Sequence, residues 1–279
     1  YITMADSLKR LTPSVFPPLL KEIADPPKQL YVRGTLPSFD MAWLAVVGSR
    51  AATAYGKQVC EYLIEGLRGY PVVIVSGLAY GIDACAHKTA LSAGLPTVAV
   101  PGSGLDWRVL YPKANVPLAR EILKAGGALL SEFEPDLVAA DYTFPQRNRI
   151  MAGLCRATLV IEAKERSGSL ITARLTTEYN RELLVVPGSI FSSASRGTHQ
   201  FLKLGATPVT EPSDILKALH IDEKIKKTIL SSNLSPQERR VLEIIAVPVS
   251  RDELLNTLNM NISEANILLS TMEIKGLLT

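Results

Sequence analysis

The chain has 279 residues, 47% hydrophobic and 20% charged, with a net charge of +3. That length fits one large domain plus a small one, or a single big α/β domain, and the composition argues for a packed core rather than a disordered chain. The longest apolar runs are strand-length rather than membrane-length, so no membrane partner is expected. The cysteines Cys60, Cys85 and Cys155 form no CxxC pair, which excludes a disulfide framework and a standard zinc site. A reducing cytoplasm is the expected compartment.

The stretch to about Trp43 holds Pro13, Pro17, Pro18, Pro26, Pro27 and Pro37 and predicts an extended lead-in with one short helix. Beyond it, near-continuous apolar runs at Trp43–Val47, Val72–Ser76, Thr97–Val100, Ala128–Glu132, Thr158–Glu162 and Leu183–Val186 predict strands buried on both faces. Helical stretches are expected between them, at Tyr55–Leu67, Ile82–Ala93, Asn148–Leu154 and Leu170–Asn180. Strand–helix alternation at this spacing predicts an α/β fold, a doubly wound and mostly parallel sheet. The core is expected over residues 21–219, behind a lead-in over 1–20.

Residues 220–234 are polar and charged and read as a linker. From 235 to 279 the pattern is helical. Ser235-Pro236-Gln237-Glu238 and Ser250-Arg251-Asp252-Glu253 read as capping boxes, and a third helix is expected from Ser263 to about Ile274. Three short helices of this kind predict a winged-helix-like module. This segment carries four basic residues against six acidic ones, a net of −2, which leaves +5 on the rest of the chain. A polyanion would therefore meet the core rather than this module.

In an open parallel sheet, ligands sit outside the carboxyl ends of the strands. The turns there are rich in glycine and serine: Gly48-Ser49-Arg50, the stretch Ser76-Gly77-Leu78-Ala79-Tyr80-Gly81, Gly102-Ser103-Gly104, and Ser167-Gly168-Ser169. Glycine lets a backbone approach an anion, and free N–H groups and hydroxyls donate to it. Gly48 to Thr53 lacks the later glycines of a dinucleotide fingerprint, and no P-loop pattern occurs. Arg50 suits a backbone phosphate, which a guanidinium can hold bidentately. Phe144-Pro145-Gln146-Arg147-Asn148-Arg149 is placed just ahead of a helix and combines cations with an aromatic ring, the chemistry of single-strand binding. The competing reading ties Arg147 or Arg149 to Glu132 or Glu162. Lys113 and Arg166 are further phosphate contacts.

Catalytic patterns are thin. His87, His199 and His220 stand in no metal-ligand spacing, and Asp83 with His87 reads as a structural helix start. No catalytic residue, metal or cofactor is expected.

Taken together, Val46 to Arg50, Ser76 to Asp83 with His87, Tyr111-Pro112-Lys113, Phe144 with Arg147-Asn148-Arg149, Ala152-Gly153-Leu154, Ser167 to Leu170 and Val186 to Ser189 resemble the DprA family (DNA-processing protein A, also called Smf). The likeness also takes in Ile23 to Pro27 and Leu30 to Gly34. It implies a Rossmann-like core that binds single-stranded DNA, forms a homodimer and loads the RecA recombinase during natural transformation. The residues it places at the DNA are Gly48, Ser49, Arg50, Phe144, Arg147, Asn148 and Arg149, with Ser167, Gly168 and Ser169. Some members carry a lysine three residues before the aromatic, where this chain has Asp141. Many carry a small helical domain ahead of the core, of which residues 1–20 would be a remnant. The alternative reading is a nucleotide-hydrolysing enzyme of the lysine-decarboxylase-like ("Lonely guy") class. Its glycine-rich catalytic loop with a glutamate is missing from Arg166 to Thr172.

Overall fold

Ala42–Val47 and Val72–Ser76 are buried along their whole length, as strands covered by helices on both faces must be. Their side chains alternate. Leu44 and Val46 enter one core with Cys60, Leu63 and Ile82, while Trp43, Ala45 and Val47 enter the other with Ile150, Met151 and Leu170. The computed structural model describes residues 7–222, 235–245, 249, 251–258 and 260–274. The chain divides into two compact units, Tyr1–Asp222 and Glu223–Thr279.

The described part of the first unit holds one sheet: β1 (Leu8–Leu11), β2 (Leu30–Gly34), β3 (Ala42–Val47), β4 (Val72–Ser76), β5 (Thr97–Ala99), β6 (Ala128–Ser131), β7 (Ala157–Val160), β8 (Glu182–Val185) and β9 (Thr207–Pro208). Their order is β1-β2-β6-β5-β4-β3-β7-β8-β9. Every pairing from β6 to β9 is parallel, whereas β1 and β2 add antiparallel at one edge. The fold is therefore the doubly wound, Rossmann-like α/β sheet read from the sequence. α2 (Ala54–Glu65) and α3 (Ile82–Ser92) cover one face, joined by α8 (Pro212–Ala218). The other face is covered by α1 (Pro18–Lys21), α5 (Thr143–Leu154), α6 (Ser169–Glu178) and α7 (Arg196–Lys203). α4 (Val116–Lys124) packs against Ala99 and Leu129 near the antiparallel edge.

Two expectations are corrected. The lead-in is not merely extended with one helix: it supplies β1 and β2, so residues 8–11 belong to the core sheet rather than to a helical remnant. Its prolines all fall between the two strands or beyond them, where no ladder hydrogen bond is lost. The segment Phe144–Arg149 is not ahead of a helix but forms its first turns, since α5 starts at Thr143. Pro145 is tolerated there because the first N–H groups of a helix have no intrahelical acceptor.

In the second unit, helices Pro236–Ile244, Arg251–Leu258 and Ile262–Ile274 share a core of Val241, Leu254, Leu258, Ala265, Leu269 and Met272. Ser235 Oγ accepts from Glu238 N at 3.2 Å and Glu238 Oε2 accepts from Ser235 N at 2.7 Å, closing the expected first capping box. Ser250, the start of the expected second box, lies outside the described residues, as do 223–234 of the expected linker and the terminal Gly276-Leu277-Leu278.

Candidate functional site

β3 is the point where chain order reverses. β4 pairs with it on one side and β7 on the other, with Val47 beside Val160. The loops leaving β3 and β7 diverge to helices on opposite faces, which opens a crevice between them. A groove of about 480 Å³ lies there, lined from the β3 loop by Gly48, Ser49, Arg50 and Ala51 and from the β7 loop by Lys164, Ser167, Gly168 and Ser169. α5 supplies Phe144, Arg147, Asn148 and Met151, and Asp83 and Asp141 place two carboxylates in the lining.

The helix N-terminus that takes a pyrophosphate in dinucleotide folds is closed here. Buried Glu162 accepts from Thr53 N and from Thr53 Oγ1, both at 2.8 Å, and Thr53 Oγ1 accepts from Gly56 N at 3.0 Å. A carboxylate already holds the start of α2, so an anion has no place there. α6 is different. Its N-cap Gly168 supplies no side chain, and beyond its two chain neighbours nothing stands within 4 Å of the position its β-carbon would take. Ser167 Oγ and Ser169 Oγ lie 2.7 Å apart beside it. The result is a sterically unobstructed helix start flanked by two hydroxyls, with Ser169 N donating to Ser167 Oγ at 3.4 Å.

The turn between β4 and α3 is fixed from several directions. Fully buried Leu78 takes φ 58°, a left-handed conformation that costs a non-glycine residue about 1–2 kcal/mol. Asn115 Nδ2 donates to Leu78 O at 2.8 Å and to Ala79 O at 3.1 Å. Asp83 Oδ2 accepts from Gly77 N at 3.0 Å. Asp83 therefore caps this turn rather than its own helix, whose N-cap is Gly81. Burial pushes its carboxyl above the usual range, opposed by the Arg147 charge.

Arg147 lies beneath the groove, 5% exposed, and donates to Gly77 O at 2.6 Å and to Val100 O. Burial draws its guanidinium down to about 10, so it stays charged at neutral pH. Neither Glu132 nor Glu162 is its partner. Asn148 Nδ2 donates to Gly168 O at 3.3 Å, tying α5 to the open start of α6. On the rim, the exposed Arg50 guanidinium sits 4.8 Å from the centre of the half-buried Phe144 ring. Tyr111 packs against the same ring at 5.9 Å between centroids. A cation is thereby poised over an aromatic face, each holding the other in place.

Arg149 departs from expectation. Its guanidinium pairs with Glu132 and, at 3.5 Å, with Asp25, and it does not line the groove. Position 149 points away from 147 and 148 because successive helix residues turn by about 100°. Lys113 is also turned aside, donating to the carbonyls of Trp107 and Arg108. Arg166 is exposed on the β7 loop outside the groove lining. Sequence reading missed Lys164, which two neighbouring charges disguised, and Asn115 and Glu162, whose partners lie far away in sequence. His87 is structural as expected: Nδ1 contacts Thr97 Oγ1 at 2.7 Å in a fully buried setting. Among the described residues no group of acidic, histidine or cysteine side chains could hold a metal. No described helix is long and apolar enough to cross a membrane.

Fold and site together define a class: a doubly wound α/β protein whose switch-point crevice carries an arginine over an aromatic ring, and whose α2 start is already closed by a carboxylate. The sequence matches the family model of DNA recombination-mediator protein A over residues 10–220, and the chain belongs to that DNA-processing (DprA/Smf) family. It is 45% identical over 204 residues to protein Smf of Escherichia coli, which covers 73% of this chain and 54% of that one. It is 46% identical over 197 residues to DNA processing protein DprA of Streptococcus pneumoniae, covering 71% and 68%. The chain thus matches about half the length of the first of these relatives. The crystal structure of the S. pneumoniae protein superposes with a TM-score of 0.69 at 41% identity, covering 76% of this chain and 75% of that one. DNA processing protein A from Helicobacter pylori, whose structure concerns its single-stranded DNA binding mode, gives 0.69 at 31% identity over 77% and 96%.

Proposed function

We propose that this protein binds single-stranded DNA in the switch-point groove and does no chemistry on it. The observation that carries this reading is the pairing of Arg50 with Phe144 on one wall, opposite the open start of α6 at Gly168. A guanidinium and the serine hydroxyls at an unobstructed helix start hold phosphates, while a half-exposed ring stacks on a base of any sequence. Gly48 and Ser49 let the strand approach the β3 loop, Ser167 and Ser169 donate hydroxyls, and Asn148 positions the α6 start. Arg147 supplies positive potential from below, Arg149 braces α5, and Lys113 and Arg166 stand outside the groove.

What supports binding over hydrolysis is the state of the groove's carboxylates. Asp83 is buried and engaged by backbone N–H groups, and Asp141 is exposed to solvent, which leaves neither placed as a tuned acid or base. Family membership supports the wider role: a cytoplasmic homodimer that protects incoming DNA and loads RecA recombinase during natural transformation.

Gel-shift titration with single- and double-stranded oligonucleotides tests the reading. Binding is expected to be single-strand-selective, indifferent to sequence and lost steeply with salt, with a slope of about 0.7 per phosphate contacted. Equal affinity for a duplex overturns it.

A further inference from the structure

Arg50 stands between two grooves. The one at the switch point has been described; the other, of about 470 Å³, lies between α2 and α3 and shares Arg50 and Ala51 with it. Its wall along α3 is the N-cap Gly81 with Ala84, Cys85, Lys88 and Thr89, spaced at three, four, seven and eight from it so that they fall on one helix face. Its wall on α2 is Lys57 and Glu61, one turn apart. Small residues at Ala51, Ala52, Gly81 and Ala84 keep the floor low between the cations.

Lys57 and Lys88 are exposed, and among the described residues neither has an ion-pair partner. The groove's carboxylate, Glu61, lies 3.8 Å from Cys85 Sγ. Three cations against one carboxylate therefore line a shallow channel of nearly the same volume as the first. Most exposed lysines merely solvate a surface, and two on one helix pair would be unremarked. Here they face each other across a channel whose other end is the residue that holds the first phosphate.

We propose that this α2–α3 groove is a second binding segment for the phosphodiester backbone of the same strand, with Lys57 and Lys88 as its phosphate contacts and Arg50 as the hinge between segments. The inference rests on the single-strand reading above and extends it. A strand leaving the switch-point groove over Arg50 enters this channel, so the site covers more nucleotides than the first groove alone. Lysine suits this role: as a flexible point charge it follows the backbone without fixing register or sequence.

The test uses the full chain, its Lys57→Gln/Lys88→Gln variant, and oligothymidylates of about 5 and about 20 nucleotides. Both lysines are exposed, so the variant is expected to melt with the parent. The expected result is an unchanged dissociation constant for the short oligonucleotide and at least a fivefold rise for the long one. The salt slope on the long one falls by about 1.4, two contacts at about 0.7 each. Cys85 is a built-in reporter, being half-buried in this groove while Cys60 and Cys155 are buried. Its alkylation should be slowed by the long oligonucleotide and not by the short one. Unchanged affinity and unchanged Cys85 reactivity with the long oligonucleotide overturn this inference alone. Failure of the parent chain to bind either oligonucleotide overturns the single-strand reading and this inference with it.

Discussion

The Arg147 guanidinium occupies the space that a β-carbon at Gly77 would need, and it donates to the Gly77 carbonyl beneath it. The glycine of this turn is therefore explained by an arginine of the protein itself, not by an approaching phosphate. Gly102 stands in the same relation to Phe144, whose ring would lie 2.6 Å from an added β-carbon. Two of the glycine turns thus seat the side chains of α5 that build the groove from below.

Removing Arg147 leaves the carbonyls of Gly77 and Val100 without their donor and the buried Asp83 without its compensating charge. Arg147→Ala is expected to lower stability by roughly 3 kcal/mol, as for breaking a buried charge arrangement from one side. Denaturant unfolding measures it. A loss below about 1 kcal/mol would show that the turn stands without its guanidinium.

Gly168 is the contrasting glycine, with open space where its β-carbon would go. Gly168→Val should therefore cost no more than about 1 kcal/mol, the scale of a poorer N-cap without steric strain. It should still weaken oligonucleotide binding, because the isopropyl group covers the start of α6. If binding survives intact, the anion does not enter there.

Much of this site could be read from sequence because its determinants are local. The β3 turn and the β7 loop at Ser167–Ser169 carry their glycine and serine at strand ends, the Phe144 segment carries its ring and cations at the start of α5, and all three line one groove. What could not be read depends on helix rotation and distant pairing. Arg147 and Arg149 are alike in sequence, yet about 200° of helical turn sends one under the groove and the other to Glu132. The lead-in strands were hidden for another reason. β1 and β2 are short and separated by prolines, and their pairing with each other and with β6 becomes visible only in the sheet.

Arg50, read from the sequence as a backbone-phosphate ligand, is exposed and held by the Phe144 ring. It still lines both grooves, while Arg166 lines neither. Arg50→Ala is expected to weaken single-strand binding at least tenfold, about 1.4 kcal/mol, and Arg166→Ala by less than threefold. Fluorescence anisotropy with a labelled oligonucleotide compares them. Similar losses for the two variants would place the strand elsewhere.

His87 sets a pH dependence. Thr97 Oγ1 donates its hydrogen to Ile74 O at 2.9 Å, so His87 Nδ1 is the donor in the contact between them and the ring is neutral. Burial draws the imidazole down from its ordinary 6.5 to about 3. Between those values the unfolded chain binds the proton and the folded one does not, so stability falls as pH drops through this window. The slope approaches about 1.4 kcal/mol per pH unit. Thermal melts at pH 7.5 and 5.0 should show a larger loss for the parent than for His87→Leu. Equal losses would mean that other groups carry the acid sensitivity.

The second unit should be dispensable for DNA binding. From Ser235 to Thr279 it carries a net of −2, and no lysine or arginine falls between Ile262 and Ile274 along its last described helix. A recognition helix meets phosphates and base edges with cations and hydrogen-bond donors, and this one has acidic Glu264 in its first turn. It has a core of its own in Val241, Leu254, Leu258, Ala265, Leu269 and Met272. Truncation after Asp222 retains all of the first unit, including Ile221, which packs on the α2–α3 core. The truncated chain should melt cooperatively and bind a single-stranded oligonucleotide within threefold of the full chain, with the same salt slope. If the unit is a docking module for a protein partner, its loss will register only when that partner is in the assay. A folded truncation whose affinity drops tenfold, about 1.4 kcal/mol, would show that the unit touches DNA despite its charge. A salt slope lowered at the same time would count the phosphates it contacts, at about 0.7 each.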